Sequence, residues 1–208
     1  MGVPPAPKFV VIDRFLDERF VEALDGYVAN DPGALELHDL GGPPGEHYSA
    51  QRKLWVRAGA LGPFEVRFGA AVTGRLPEIV AGTGVPPFDI ARIETEVCAQ
   101  RPGSYFAKHI DTDTREPSAS LSSDRLISAV YYFPREPRAF TGGELIIYDF
   151  TGQREAARIE PARNRLVAFP SFACHEVTPI TAGADTLAGA RWSVNCWLHR
   201  ARQPSSHE

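Results

Sequence analysis

Cysteine is scarce in this chain, and the three copies present do not form a pattern. Cys98, Cys174 and Cys196 are odd in number and none is spaced Cys-x-x-Cys. A disulfide framework and a structural zinc site are therefore not expected, and a reducing compartment is. Basic charge is not in excess either. Against 26 Asp and Glu stand 22 Lys and Arg, a formal net charge of -4, which argues against a nucleic-acid or anionic-membrane partner. No apolar run approaches the ~18 residues of a membrane span. The opening Met1-Gly-Val-Pro-Pro-Ala6 has neither the charged-then-apolar pattern of a secretory leader nor a myristoylation pattern. These absences together predict a cytoplasmic protein.

What is present fits one globular domain, 1–208. Hydrophobic residues make up 43% and charged residues 23%, and the 18 glycines and 18 prolines are too scattered for a disordered chain. Lys8 to Ile12 reads as a strand. Asp17 is placed to cap a helix whose apolar positions Phe20, Val21, Leu24 and Val28 recur at helical spacing, and Asn30-Asp-Pro-Gly33 ends it. Residues 38–63, rich in Gly and Pro around His47, Tyr48, Arg52, Lys53 and Trp55, read as irregular surface or lid structure. A second helix is expected within Phe64 to Val80. Residues 8–87 thus form an N-terminal support and 201–208 a tail.

Between them, 88–200 carries short strand patterns separated by turns. They are Ile90–Val97, Leu126–Phe133, Glu144–Phe150, Arg154–Ile159, Arg165–Phe169, His175–Ile180 and Arg191–Leu198. The polar stretch Thr112 to Asp124 reads as a loop. No long helical pattern interrupts the strands, so antiparallel pairing in a double-sheet jelly roll is predicted.

The stretch Tyr105-Phe-Ala-Lys-His-Ile-Asp-Thr112 concentrates the chemistry. His109 and Asp111 are two apart, so on an extended strand both side chains leave one face. Two imidazoles and one carboxylate make a facial triad suited to Fe(II) with open positions, and His175 is the candidate third ligand. In the last strand Arg191, Ser193, Asn195 and Trp197 share one face, while Trp192, Val194, Cys196 and Leu198 share the other. With the apolar face packed on helices, the polar set lines the interior. A buried arginine there asks for an anion such as a small dicarboxylate, held by its planar fork.

The ordered set His109-Ile-Asp111, Ala129-Val-Tyr-Tyr-Phe133, Thr141-Gly-Gly-Glu-Leu-Ile-Ile147, Ile159-Glu-Pro161, Arg165–Phe169, His175-Glu-Val-Thr-Pro179 and Arg191–Trp197 resembles the Fe(II)- and 2-oxoglutarate-dependent dioxygenases. The nearest likeness is to the prolyl 4-hydroxylase branch. The resemblance implies a mainly β fold with flanking helices, a double-stranded β-helix (jelly-roll, cupin-like) barrel with N-terminal helices packed on one sheet. It implies Fe(II) on His109, Asp111 and His175. It also implies 2-oxoglutarate on Arg191, with Tyr132, Ser193 and Tyr105 as further co-substrate contacts. O2 would be the second co-substrate and L-ascorbate an accessory reductant.

The implied reaction is hydroxylation of an unactivated C–H bond coupled to decarboxylation of 2-oxoglutarate to succinate and CO2. The presence of Asp111 leaves no iron position for halide. The spacing from His175 to Arg191 exceeds the family's usual one, and Ala182 to Gly189 reads as inserted. Competing readings of the same barrel are a non-catalytic cupin-like binding or sensor protein and a hydrolytic zinc enzyme. The substrate class is a small molecule, a peptide or a protein.

Overall fold

The computed structural model describes residues 5–30, 35–39, 52–57, 61–112, 123–183 and 185–202. Chain order is β1 (Val10–Asp13), α1 (Glu18–Asn30), β2 (Leu35–Asp39), β3 (Arg52–Arg57), α2 (Glu65–Gly74), α3 (Leu76–Thr83), β4 (Arg92–Gln100) and β5 (Tyr105–His109). There follow β6 (Ser123–Tyr132), β7 (Phe140–Gly142), β8 (Leu145–Tyr148), β9 (Glu155–Ile159), β10 (Arg165–Pro170), β11 (His175–Val177), β12 (Ile180–Gly183) and β13 (Arg191–Ala201).

The α1 cap is as the sequence predicts: Asp17 Oδ1 accepts from the Phe20 amide at 2.9 Å. The single helix expected over 64–80 is two. Gly74 and Pro77 flank the break, because Gly weakens the helix interior and Pro suits only a first turn.

One sheet runs β1-β10-β6-β13-β4-β3-β5-β11-β8-β9, with β2 paired to β3, and β12 pairs with β7 apart from it. All the pairings are antiparallel. The fold is thus the mainly β, jelly-roll class expected. The irregular reading of 38–63 is corrected: the end of β2 and all of β3 lie there, and β3 joins the two halves of the barrel by pairing with both β4 and β5. Its apolar centre Leu54-Trp-Val56 is short and flanked by charge, so the strand signal is weak in sequence. Residues 40–51, and with them His47 and Tyr48, lie outside the described residues, as do 113–122 of the predicted Thr112–Asp124 loop. Ser123 and Asp124 already belong to β6.

Strand alternation divides the buried residues into two layers. Tyr131, Phe133, Leu166, Ala168, Trp192, Val194, Cys196 and Leu198 pack with Phe20, Val21, Leu24, Phe68 and Ile79 of the helices. Their neighbours Tyr132, Val167 and Phe169 turn the other way, onto Leu145, Ile147 and Ile159 inside the barrel. Burial of the first layer fastens the helices to one sheet and leaves the other face of β13 free to line the interior. No described helix is long and apolar enough to cross a membrane.

Asn164 locks the N-terminal segment to this frame. It adopts φ 57°, a left-handed conformation that Asn tolerates. Its Oδ1 accepts from the Leu16 amide at 2.9 Å and from the Tyr131 hydroxyl at 3.2 Å, and its Nδ2 donates to the Leu16 carbonyl at 2.8 Å. Asn164→Ala removes these contacts and puts a residue less suited to that φ in its place. Urea denaturation should show a loss of about 3 kcal/mol, against a much smaller loss for an exposed control such as Val66→Ala.

Candidate metal centre

The antiparallel register of β5 and β11 places His109 directly opposite His175. Asp111 follows just past the end of β5, where its amide and that of Thr112 donate to the Ser171 carbonyl at 2.9 and 3.2 Å. This tether draws the aspartate back over the strand end. Asp111 Oδ1 is 3.5 Å from His109 Nε2, and Oδ2 is 3.7 Å from His175 Nε2. Potential ligand atoms of the three residues all lie within 4.8 Å of one another.

The tautomers follow from the backbone. His109 Nδ1 is 2.7 Å from the Ala107 carbonyl and His175 Nδ1 is 2.9 Å from the Ala173 carbonyl. A carbonyl only accepts, so each Nδ1 carries a proton, and in the neutral imidazole Nε2 is then the atom with the free lone pair. Asp111 Oδ2 accepts from Ser128 Oγ at 2.6 Å and Trp197 Nε1 at 2.9 Å. Those donors fix the carboxylate and occupy one oxygen, leaving Oδ1 the freer to ligate. Burial opposes ionisation of Asp111, but His109, His175 and the Ser128 hydroxyl together hold its carboxyl well below the usual range. Burial pushes His175 the other way, down to about 4, so its imidazole stays neutral.

A cavity that opens to solvent adjoins this cluster. It is lined by His109, Asp111 and His175, by Arg191, Ser193, Asn195 and Trp197 of β13, and by Cys98 and Gln100 of β4. Leu54, Phe106, Val130, Leu145 and Val177 give apolar walls. Arg191 is 1% exposed. Its Nε donates to the Gly143 carbonyl at 2.7 Å and its Nη1 donates to Gln100 Oε1. Among the described residues Nη2 has no hydrogen-bond partner, and neither have Gln100 Nε2 and the Tyr132 hydroxyl. The Tyr132 ring lies 4.8 Å from the Arg191 guanidinium carbon. No carboxylate is in salt-bridge distance of Arg191 among the described residues.

The turn that reaches Arg191 needs glycine. Gly143 sits at φ 77°, where an added Cβ would stand 2.6 Å from Arg191 Cδ and 2.5 Å from Ile180 Cδ1.

The interior positions of β13 lie in the cavity wall as the sequence reading has them, Tyr132 is buried but not in that wall, and Tyr105 is placed differently. That residue does not line the cavity; Phe106 does, stacked on His109 at 3.7 Å. The cause is a bulge. His175 faces His109 but Val177 faces Phe106, so β5 has an extra residue and its inward parity shifts between the two. Gln100 and Ser128 carry no mark of their own in the sequence. A signal for Gln100 existed, since an apolar Ile93-Thr95-Val97 face leaves the even-numbered positions of β4 to face inward.

These features match known proteins. Residues 95–199, half of the chain, match the profile of the 2OG-Fe(II) oxygenase superfamily. The chain belongs to that superfamily. Among its relatives, an uncharacterized PKHD-type hydroxylase of Synechocystis sp. is 32% identical over 133 residues, 61% of this chain and 42% of the relative. A PKHD-type hydroxylase of Shewanella oneidensis is 38% identical over 86 residues, 41% and 36% of the two chains. The matched region is thus less than half the length of these curated relatives. In fold, the chain resembles a prolyl-4-hydroxylase from Pseudomonas putida, with TM-score 0.62 and 24% identity over 94% of each chain. It also resembles a Trichoplax adhaerens prolyl hydroxylase in complex with a hypoxia inducible factor peptide, with TM-score 0.62 and 19% identity over 92% of this chain and 83% of that one.

The donor set suits the iron that the superfamily's name carries: two imidazoles and an ionised carboxylate converge on one point. The unspent donors of Arg191, Gln100 and Tyr132 suit the carboxylate of 2-oxoglutarate.

The titration of His175 bears on the stability of the metal-free protein. The group takes up a proton near pH 6.5 in the unfolded chain but only near 4 in the folded one. Its neutral burial therefore supports folding fully above about 6.5 and loses that support as pH falls toward 4. Chemical denaturation of the metal-free protein should show stability declining across that interval, with the decline reduced in His175→Gln.

Proposed function

We propose that this oxygenase is an Fe(II)- and 2-oxoglutarate-dependent hydroxylase of unactivated C–H bonds. The observation that supports it is one cavity with a His-Asp-His cluster on one wall and, on another, a buried arginine with no carboxylate partner among the described residues. Burying a guanidinium without an anion is costly, so the site is built for a ligand that supplies one.

In this reading His109, Asp111 and His175 hold the iron. Arg191 takes the far carboxylate of 2-oxoglutarate with Nη2, helped by the Tyr132 hydroxyl and Gln100 Nε2. Ser193, buried on the same strand face, lies beside it. The apolar side chains Leu54, Val130, Leu145 and Val177 hold the methylene chain and exclude water, which strengthens each polar contact. When bound, the iron with 2-oxoglutarate and O2 supplies the oxidising power, releasing succinate and CO2 and leaving a hydroxylated product. The chain contributes orientation and a dry, fixed arrangement of charge. L-ascorbate would serve as reductant for iron oxidised in unproductive turnovers.

Tyr105 drops out of this assignment and Phe106 replaces it at the wall. The substrate, a peptide, a protein or a small molecule, approaches from the open side of the cavity. The likeness to prolyl hydroxylases makes a prolyl side chain the first candidate.

Two results test the proposal. Anaerobic addition of Fe(II) and 2-oxoglutarate should give the weak visible absorption of the chelate, and His109→Ala should abolish it. Arg191→Met should weaken 2-oxoglutarate binding by roughly two orders of magnitude or more, the cost of truncating one partner of a buried charge pair, with metal affinity little changed. Undiminished absorption in His109→Ala, or unchanged 2-oxoglutarate affinity in Arg191→Met, would refute the assignment.

A further inference from the structure

Trp197 lines the cavity and donates its indole N–H to Asp111 Oδ2 at 2.9 Å. Its ring carries a cation on one face. The guanidinium carbon of Arg125 lies 4.0 Å from the ring centroid. Arg125 is itself held in a fork, with Nη2 donating to Glu94 Oε1 at 2.7 Å and Nε to Glu94 Oε2 at 3.3 Å. Glu94 is fixed in turn by buried His199, whose Nε2 is 2.9 Å from Oε2, and Ser123 Oγ is 3.1 Å from the other ring nitrogen. The series thus runs without a gap from the rim of the barrel to a carboxylate of the metal cluster.

We infer that Arg125, anchored by Glu94, is a positioning residue for the metal centre and acts on Asp111 through Trp197. A cation over the indole face restrains the ring and withdraws electron density from it. Both effects favour the N–H as a donor to the carboxylate: the ring plane is held where the bond is short, and the N–H is more polar. Ser128 reaches the same oxygen by an independent route, from β6 directly. Outer hydrogen bonds of this kind orient metal-binding carboxylates, and their loss commonly costs about 10- to 100-fold in metal affinity. The inference rests on the reading of His109, Asp111 and His175 as metal ligands, and it adds an outer element that no part of that reading requires.

The test is a double-mutant cycle read by Co(II) binding to the metal-free protein, followed by its visible absorption. Trp197→Phe keeps a ring for Arg125 to cover but removes the N–H. Arg125→Gln removes the cation and the fork to Glu94. In the wild-type background Arg125→Gln should weaken Co(II) binding by about tenfold, and in the Trp197→Phe background by less than about twofold. In the Ser128→Ala background, where the indole route is intact, the full tenfold loss should return. An Arg125→Gln effect of equal size in all backgrounds, or none in any, would overturn the inference, because a merely structural arginine acts independently of the indole N–H. Should Trp197→Phe fail to fold, the Ser128→Ala arm and the indole emission of Arg125→Gln decide instead. A tenfold loss with altered emission supports the relay, and unchanged Co(II) affinity refutes it. A wild-type chain that binds no Co(II) would refute the metal reading itself, a separate failure.

Discussion

The structure depends on one pairing, that of His109 on β5 with His175 on β11. These residues are 66 positions apart in the chain, and only the register of two short antiparallel strands brings their Nε2 atoms to a common point with Asp111. β11 also pairs with β8, so the second histidine is held from both sides. Each imidazole is then turned by a backbone carbonyl at its Nδ1, which leaves little freedom at the metal-facing nitrogen. A one-residue slip in either strand would send its histidine to the opposite face and dissolve the cluster.

The second constraint is charge inside the barrel. Arg191 is held by the Gly143 carbonyl and by Gln100, both neutral, so its position is fixed while no carboxylate among the described residues neutralises its charge. The close approach of the Gly142–Gly143 turn makes that possible, since any side chain at 143 would collide with the arginine. Placement without neutralisation is what a reusable anion site needs. The helices stand outside this arrangement and act through packing, by covering the apolar face of β13 so that its polar face must look inward.

Much of this was legible in the residues alone. The alternation of Arg191, Ser193, Asn195 and Trp197 against Trp192, Val194, Cys196 and Leu198 was enough to assign inside and outside, because a strand buried on both faces rarely keeps polar residues on one without reason. The short spacing of His109 and Asp111 was equally readable. Less legible were features set by tertiary context. The bulge that exchanges Tyr105 for Phe106 is invisible in a five-residue strand, as alternation is assumed and never tested there. β3 was hidden because charged residues flank its three apolar ones, although its role as the link between two halves of the sheet is decided by pairing. Ser128 is one serine among several, and what distinguishes it is the carboxylate of Asp111 at 2.6 Å.

The central claim is that this cavity couples iron held by His109, Asp111 and His175 to 2-oxoglutarate held by Arg191. Turnover of the co-substrate tests it most directly. Incubation with Fe(II), O2 and 2-oxoglutarate should release succinate and CO2 in equal amounts, slowly without a hydroxylatable substrate, and Asp111→Ala should release neither. Succinate that still forms in Asp111→Ala, or a wild-type protein that forms none while binding both Fe(II) and 2-oxoglutarate, would contradict the account.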